Sequence, residues 1–292
     1  MRVSDSMMSE LVQRGLEQNR QSYFEAQQVA STGVRVAKPS DDPVAAGLSR
    51  GTRSRERRYD TVAKLSAEGI ERLQAVDDTL GQVGGVLSRA RELAVLGSND
   101  HLSASDRNDL ATEVGALRQQ LLSLANTKVG DEHVFGGLAV DAPPFDATGA
   151  FVGETTLREI EVGPGARVPV QVSGADVFGA TGTDAFATLD TLAAALSADD
   201  RDAVHATLDE LDATVAQAAS GRTAAGLGQQ RLAQAKAAAE RLRQQAVERH
   251  AALTEADPFE AFSDLVKTEN ALREAVSIAA RMPPPSLLEM GG

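Results

Sequence analysis

One heptad-like alternation constrains this chain more than any other feature. Leu48, Thr52, Arg55, Tyr59, Val62, Ser66, Gly69, Leu73, Val76, Leu80, Val83, Leu87, Ala90 and Ala94 keep a single 3,4 register, and from Leu73 onward every position is apolar. A spacing that averages 3.5 residues keeps one seam turned toward a partner helix. The pattern predicts a helix from about Val44 to Val95, roughly 75 Å long at 1.5 Å per residue. Globular helices are seldom that long. Its start is marked by Asp41 and Asp42, which put a carboxylate at the N-cap, and by Pro43 at the first helical position, where the missing N–H costs nothing. Gly97, Ser98 and Asn99 mark its end.

A second seam follows in Leu110, Val114, Leu117, Leu121 and Leu124, entered through Ser103 to Asp106, a capping-box pattern with Asp in place of Glu. The period then changes. Ile160 and Val162, and after them Val168, Val170 and Val172, alternate with polar residues around Gly163, Pro164 and Gly165, which reads as two strands and a tight turn. Helical spacing resumes at Phe186, Leu189, Leu192, Ala193 and Leu196. A second long helix runs from Asp199 through Leu208, Leu211, Val215 and Ala218, then Leu232, Ala235, Ala239, Leu242 and Ala246, to about Ala256. Gly221, Gly226 and Gly228 are expected to weaken it by ~1 kcal/mol each.

The ends carry weaker stripes. Val12, Leu16, Asn19, Tyr23, Ala26 and Ala30 line one, and Phe259, Phe262, Leu265, Leu272, Val276 and Ala279 line the other, ahead of Pro283 to Pro285. The fold class expected is mainly α: a long antiparallel helical bundle or coiled-coil rod of N- and C-terminal helices with a small β-rich inserted domain. The division expected is an assembly segment at 1–42, a helical rod from 43–130 and 183–257, a β-rich insert at 131–182 and a second assembly segment at 258–292. The insert is expected to pair locally, to project from the rod and to be dispensable for helical packing.

Charge supports exposure of the middle. The chain holds 29 Lys and Arg against 42 Asp and Glu, a net charge of -13, and residues 131–212 hold 16 acids against three bases, which is the whole imbalance. The near-neutral flanks suit helices packed on helices.

Chemistry is sparse. Without Cys there is no disulfide, thiolate metal site or Cys nucleophile. Aromatic residues make up only 3% of the chain, with no Trp, which argues against an aromatic-rich core or a base-stacking platform. His101, His133, His205 and His250 lack metal-ligand spacing and read as solvated surface residues, and no phosphate-binding or nucleophile-elbow motif occurs. Asp77 with Asp78 reads as a solvated face. The basic cluster Arg50, Arg53, Arg55, Arg57 and Arg58 lacks interleaved aromatics and reads as a solvated or subunit-contacting helix face in preference to a nucleic-acid site. No apolar run reaches membrane-span length and the N-terminus has no secretory h-region, so a soluble cytoplasmic protein is the default, unless export reads no cleavable signal.

Several segments carry a family resemblance. S-T-G-V-R-V-A-K-P-S-D-D-P-V-A-A (Ser31 to Ala46), R-E-L-A-V-L (Arg91 to Leu96), L-S-A-S-D-R-N-D-L-A-T-E-V (Leu102 to Val114) and L-A-N-T-K-V-G-D-E-H-V-F-G-G (Leu124 to Gly137) resemble bacterial flagellins and their relatives. The opening M-R-V-S-D-S-M-M, the P-S-D-D-P turn, V-F-G-G and S-G-A-D-V-F-G (Ser173 to Gly179) resemble the hook-filament junction branch, the third hook-associated proteins, more than flagellin proper. The resemblance implies a structural subunit and no enzyme. It would be exported unfolded through the flagellar type III apparatus without a cleaved signal peptide and assembled outside the cell as the second of two junction rings. Implied partners are the chain itself, the preceding junction protein, flagellin and an export chaperone, with no cofactor, metal, nucleic acid or membrane insertion. It also implies terminal segments, about Met1 to Ser31 and Pro258 to Met282, that become ordered helices on assembly, with Gly33, Asp41, Asp42 and Pro43 forming the turn and cap between helices. A flagellin-type filament subunit is the alternative. The tail from Ser286 to Gly292, behind three prolines, departs from the family's usual apolar or aromatic ending.

Overall fold

The computed structural model describes residues 5–281, so Met1 to Ser4 and the proline-rich tail lie outside the described residues. In chain order the elements are α1 (Asp5–Thr32), α2 (Pro43–Gly97), α3 (Ala104–Ala125), β1 (Lys128–Val129), β2 (Glu132–His133), β3 (Glu159–Gly163), β4 (Ala166–Pro169), α4 (Gly174–Phe178), α5 (Ala185–Ser197), α6 (Arg201–Thr254) and α7 (Pro258–Ala280). The chain is mainly helical, and its strands form two small antiparallel hairpins, β1 with β2 and β3 with β4. It divides into two compact units. The first comprises residues 1–57 and 242–292, the second residues 58–241.

In the second unit the 55-residue α2 buries its seam as the spacing predicts. Leu73, Val76, Leu80, Val83, Leu87, Ala90 and Ala94 are all at most 1% exposed. Helix α6 lies antiparallel beside it: Arg222 meets Asp77 at 3.0 Å, Arg91 pairs with Asp212, and the glycines of one helix face leucines of the other. Asp77 is therefore an interhelical ion-pair partner, correcting its reading as a solvated face. The seam of α6 is longer than its apolar residues reveal. Val204, Thr207, Leu211, Thr214, Ala218, Gly221, Ala225, Gly228 and Leu232 are all buried in unbroken 3,4 register. Thr207 and Thr214 donate their hydroxyls to the carbonyls of Val204 and Leu211, which satisfies the groups in an otherwise apolar seam.

The glycines of these helices are sockets. A Cβ at Gly221 would lie 2.8 Å from Val177 and 3.1 Å from Leu80; one at Gly69 would lie 2.8 Å from Val170 and 2.9 Å from Leu232. The segment 131–182 thus sits against the helices where side chains are missing, and Val168, Val170, Val172, Val177 and Phe178 belong to one core with Leu73, Leu80 and Leu232. Phe135, Phe145, Phe151, Phe178 and Phe186 add an aromatic cluster, with Phe145 and Phe178 5.1 Å apart edge to face. Both findings differ from the sequence expectations. The insert shares its core with the helices, and five of the eight phenylalanines are gathered into that core. Only 11 of its residues are in strands, so it is largely turns and irregular chain.

Replacing residues 131–182 by a short Gly/Ser linker should therefore abolish the cooperative melting of the second unit. Each large core side chain lost costs about 2–5 kcal/mol, and losing several exceeds a typical net stability of about 5–15 kcal/mol. A calorimetric trace retaining the wild-type transition would contradict the shared core.

Polar clamps close the unit. Arg107 of α3, its side chain 4% exposed, donates from Nε to the Gly97 carbonyl and from Nη2 to the Asn99 carbonyl, both at 2.8 Å, and pairs with Asp199. It therefore ties the end of α2 to the α5–α6 turn. The capping box of α3 is present, with the Ser103 hydroxyl accepting from Asp106 N and Asp106 accepting from Ser103 N. Arg72 and Arg158 both hold the Glu132 carboxylate, whose pKa lies below the ordinary carboxylate value, chiefly through the Arg72 hydrogen bond.

Candidate assembly surface

The first unit is built around a short connector. Gly33 ends α1 at φ 70°, a left-handed conformation natural to glycine, and its N–H donates to the Val29 carbonyl at 2.8 Å. The chain then runs beside the end of α6. Arg35 N donates to the Thr254 carbonyl at 2.7 Å, Ala256 N donates to the Gly33 carbonyl at 2.9 Å, and Val34 bridges Glu255. Asp41 accepts from the backbone N–H groups of Ala37 and Lys38 at 3.0 and 2.7 Å, holding the turn around Pro39. Asp42 caps α2 by accepting from Val44 N and Ala45 N at 3.1 and 2.9 Å, with Pro43 at the first helical position. Arg35 faces Asp42 at 3.6 Å and donates to the Leu253 carbonyl. The motif from Ser31 to Ala46 is thus a backbone-paired joint between α1, α2 and α6.

The Ala45 N–H is the main cause that lowers the Asp42 pKa below its ordinary value; Arg35 adds to it. A depressed carboxylate stabilises the folded form above the ordinary Asp range and loses that contribution as pH falls through the lowered value. Amide exchange at Val44 and Ala45, corrected for intrinsic rates, should accordingly accelerate in acid, and Asp42→Ala should remove that acid dependence. An unchanged profile in Asp42→Ala would contradict the capping role.

From this joint α1 and α7 pack against each other as an antiparallel pair. Asp257 caps α7 by accepting from Phe259 N at 2.8 Å. On α1 the half-buried residues include Val12, Leu16, Asn19, Tyr23, Ala26 and Ala30, the predicted stripe. On α7 the covered seam runs through Ala261, Leu265, Thr268, Leu272, Ala275 and Ala279. Phe259, Phe262 and Val276 do not share that seam. Two stripes read as one in the sequence, because Phe259, Phe262, Val266 and Val276 form a separate, open stripe; Phe259 is 89% exposed and Phe262 59%. Met7, Met8, Leu11 and Phe24 on α1, Val44 and Leu48 on α2, and Leu242 and Val247 on α6 are further exposed apolar residues of this unit that the sequence reading did not mark as surface.

Val76, Leu80, Val83 and Leu87 lie elsewhere, as internal core of the second unit. Of the histidines, His101 and His205 are exposed, His250 is half-buried, and His133 is buried with Nδ1 2.9 Å from the Asn126 carbonyl, so its reading as a surface residue is corrected. Among the described residues there is no group of three or more His, Cys, Asp or Glu able to hold a metal ion, and no helix long and apolar enough to cross a membrane. What this unit offers is uncovered apolar helix surface. Exposed stripes of this extent mark interaction faces.

These features make the chain a long-helix protein with open apolar faces, and residues 3–139 match the bacterial flagellin N-terminal helical region. The flagellar hook-associated protein 3 of Escherichia coli K12 is 32% identical over 246 residues, covering 78% of this chain and 74% of that protein. The chain therefore belongs to the flagellar hook-associated protein 3 family. The corresponding protein of Salmonella typhimurium LT2 is 31% identical over 180 residues, 61% of this chain and 57% of that protein. The chain thus spans less than two thirds of that relative. A putative flagellar hook-associated protein from Vibrio parahaemolyticus shares the fold, with a TM-score of 0.67 at 20% identity over 73% of this chain and 99% of that one.

Proposed function

We propose that the chain is a structural, non-enzymatic subunit of the bacterial flagellum that forms a junction ring between hook and filament. The observation that carries this reading is the open apolar stripe of α7, Phe259, Phe262, Val266 and Val276, beside the exposed residues of α1. Water is a poor final environment for such a stripe, and neighbouring copies, the preceding junction protein and flagellin are the partners that would cover it. Residues 1–42 and 258–292 act as assembly segments. Packed only on each other, α1 and α7 bury few large side chains against an ordering cost of about 1–2 kcal/mol per residue, so their helices firm up on assembly. Hydrogen exchange in the monomer should be faster across 7–30 and 260–279 than across 73–94. The route is export without a cleaved signal peptide, with an export chaperone as a further partner.

Gold-labelled antibody on intact flagella tests the assignment. Label confined to the boundary between hook and filament is the expected result. The match to the flagellin N-terminal region favours a filament subunit as the second reading, and label along the whole filament would establish that instead.

A further inference from the structure

Two members of the basic cluster on α2, Arg50 and Arg53, make no hydrogen bond or ion pair with their side chains among the described residues. Arg50 and Arg53, one turn apart and both exposed, flank a groove of about 360 Å³ in the first unit, together with Lys38 of the connector and His250 of α6. Among the described residues Glu255 is the only acid on its wall. Neither arginine, nor Lys38, makes an ion pair among the described residues. The groove therefore presents three cations without an ion pair, against the single carboxylate of Glu255, around an apolar floor of Val34, Val36 and Ala46.

The opposite charge sits in the second unit, which carries 27 acidic and 15 basic side chains, a net of -12, against -1 for the first. Copies placed side by side would set these acidic units against one another within a Debye length of about 8 Å. A contact that brings cations to that surface relieves the repulsion and fixes register. On β3, Ile160 and Val162 pack toward the core while Glu159 and Glu161 face outward, exposed. Arg158 is held by Glu132 and Arg167 stands opposite Glu161 in the β3–β4 register, but the side chain of neither outward glutamate makes a hydrogen bond or ion pair among the described residues. Two residues along a strand span about 6.6–6.8 Å, close to the roughly 5–6 Å between helix positions three apart. The two carboxylates can therefore meet the two guanidiniums together.

We propose that the groove flanked by Arg50 and Arg53 docks the Glu159 and Glu161 face of β3 from a second copy of this chain. This rests on the junction-ring reading and adds the surface through which neighbouring copies recognise each other. Specific pairing of this kind sets orientation and rejects like-charged alternatives.

Charge reversal in flagellated cells tests it. Arg50→Glu with Arg53→Glu should lower the fraction of cells bearing attached filaments by about tenfold, and adding Glu159→Arg with Glu161→Arg should restore it to within about twofold. Because all four residues are exposed, thermal melts of each purified variant should match the wild type. The chain contains no cysteine, so co-expressing one copy with Arg53→Cys and another with Glu161→Cys gives an unambiguous oxidative cross-link, expected as a dimer band in purified hook-filament junctions. Normal filaments in the reversal variant would overturn the proposal, and so would a swap that fails to restore them with no dimer band. Wild-type chain absent from the junction would overturn the ring reading itself, which label on the wild type detects separately.

Discussion

Removing α7, from Pro258 onward, should leave the second unit melting as it does in the intact chain while abolishing attachment of filaments. The helix contributes only one buried residue, Ala261, to the described structure, and it belongs to the first unit, so the core of the second does not depend on it. A finer variant separates assembly from mere presence of the helix. Phe259→Ser with Phe262→Ser changes side chains that water already reaches, so folding should shift by no more than about 0.5 kcal/mol. If neighbours cover both rings, their loss removes up to about 3–6 kcal/mol per contact, which is about two to four decades in affinity. Export with failure to incorporate is the expected phenotype, read by counting attached filaments and secreted monomer. Normal incorporation of the double variant would show that the open stripe is not a contact surface.

Leu80→Ala should destabilise the second unit by about 2–5 kcal/mol. Leu80 is fully buried, faces the Gly221 socket of α6 and shares a core with Val177 of the insert, so truncation leaves a cavity that helices and insert together would have to close. Chemical denaturation of the purified chain measures this directly, and Val76, Val83 and Leu87 provide parallel sites in the same seam. A loss below about 0.5 kcal/mol, typical of surface positions, would contradict the packing described.

The course of α2 was legible because its seam from Leu73 to Ala94 is both regular and apolar. The seam of α6 obeys the same spacing but hides it. Thr207, Thr214, Gly221 and Gly228 occupy buried positions that hydropathy does not mark, and the glycines read as defects although they receive Leu73, Leu80 and Val177. Searching for register irrespective of residue type would have found them. The insert misleads in the opposite sense, since its acidic surface suggests independence while Val170, Val172 and Phe178 bury against the helices. The joint at Ser31 to Ala46 was readable at Gly33, Asp42 and Pro43, whose roles are local. Arg107 with Asp199 and Arg72 with Glu132 were not readable, because the partners are 92 and 60 residues apart and nothing local specifies them. At the assembly surface, α7 has more apolar positions than one seam can use. Separating its two stripes requires knowing where α1 lies.

In the flagellum, neighbours should cover the exposed apolar residues of α1 and α7. Oxidative footprinting of Met7, Met8, Phe24, Phe259 and Phe262, compared between the purified monomer and isolated hook-filament junctions, measures that coverage residue by residue. Ready modification in the monomer and strong protection at the junction are expected, with Leu80 protected in both. Equal modification of these five residues in monomer and junction would contradict it.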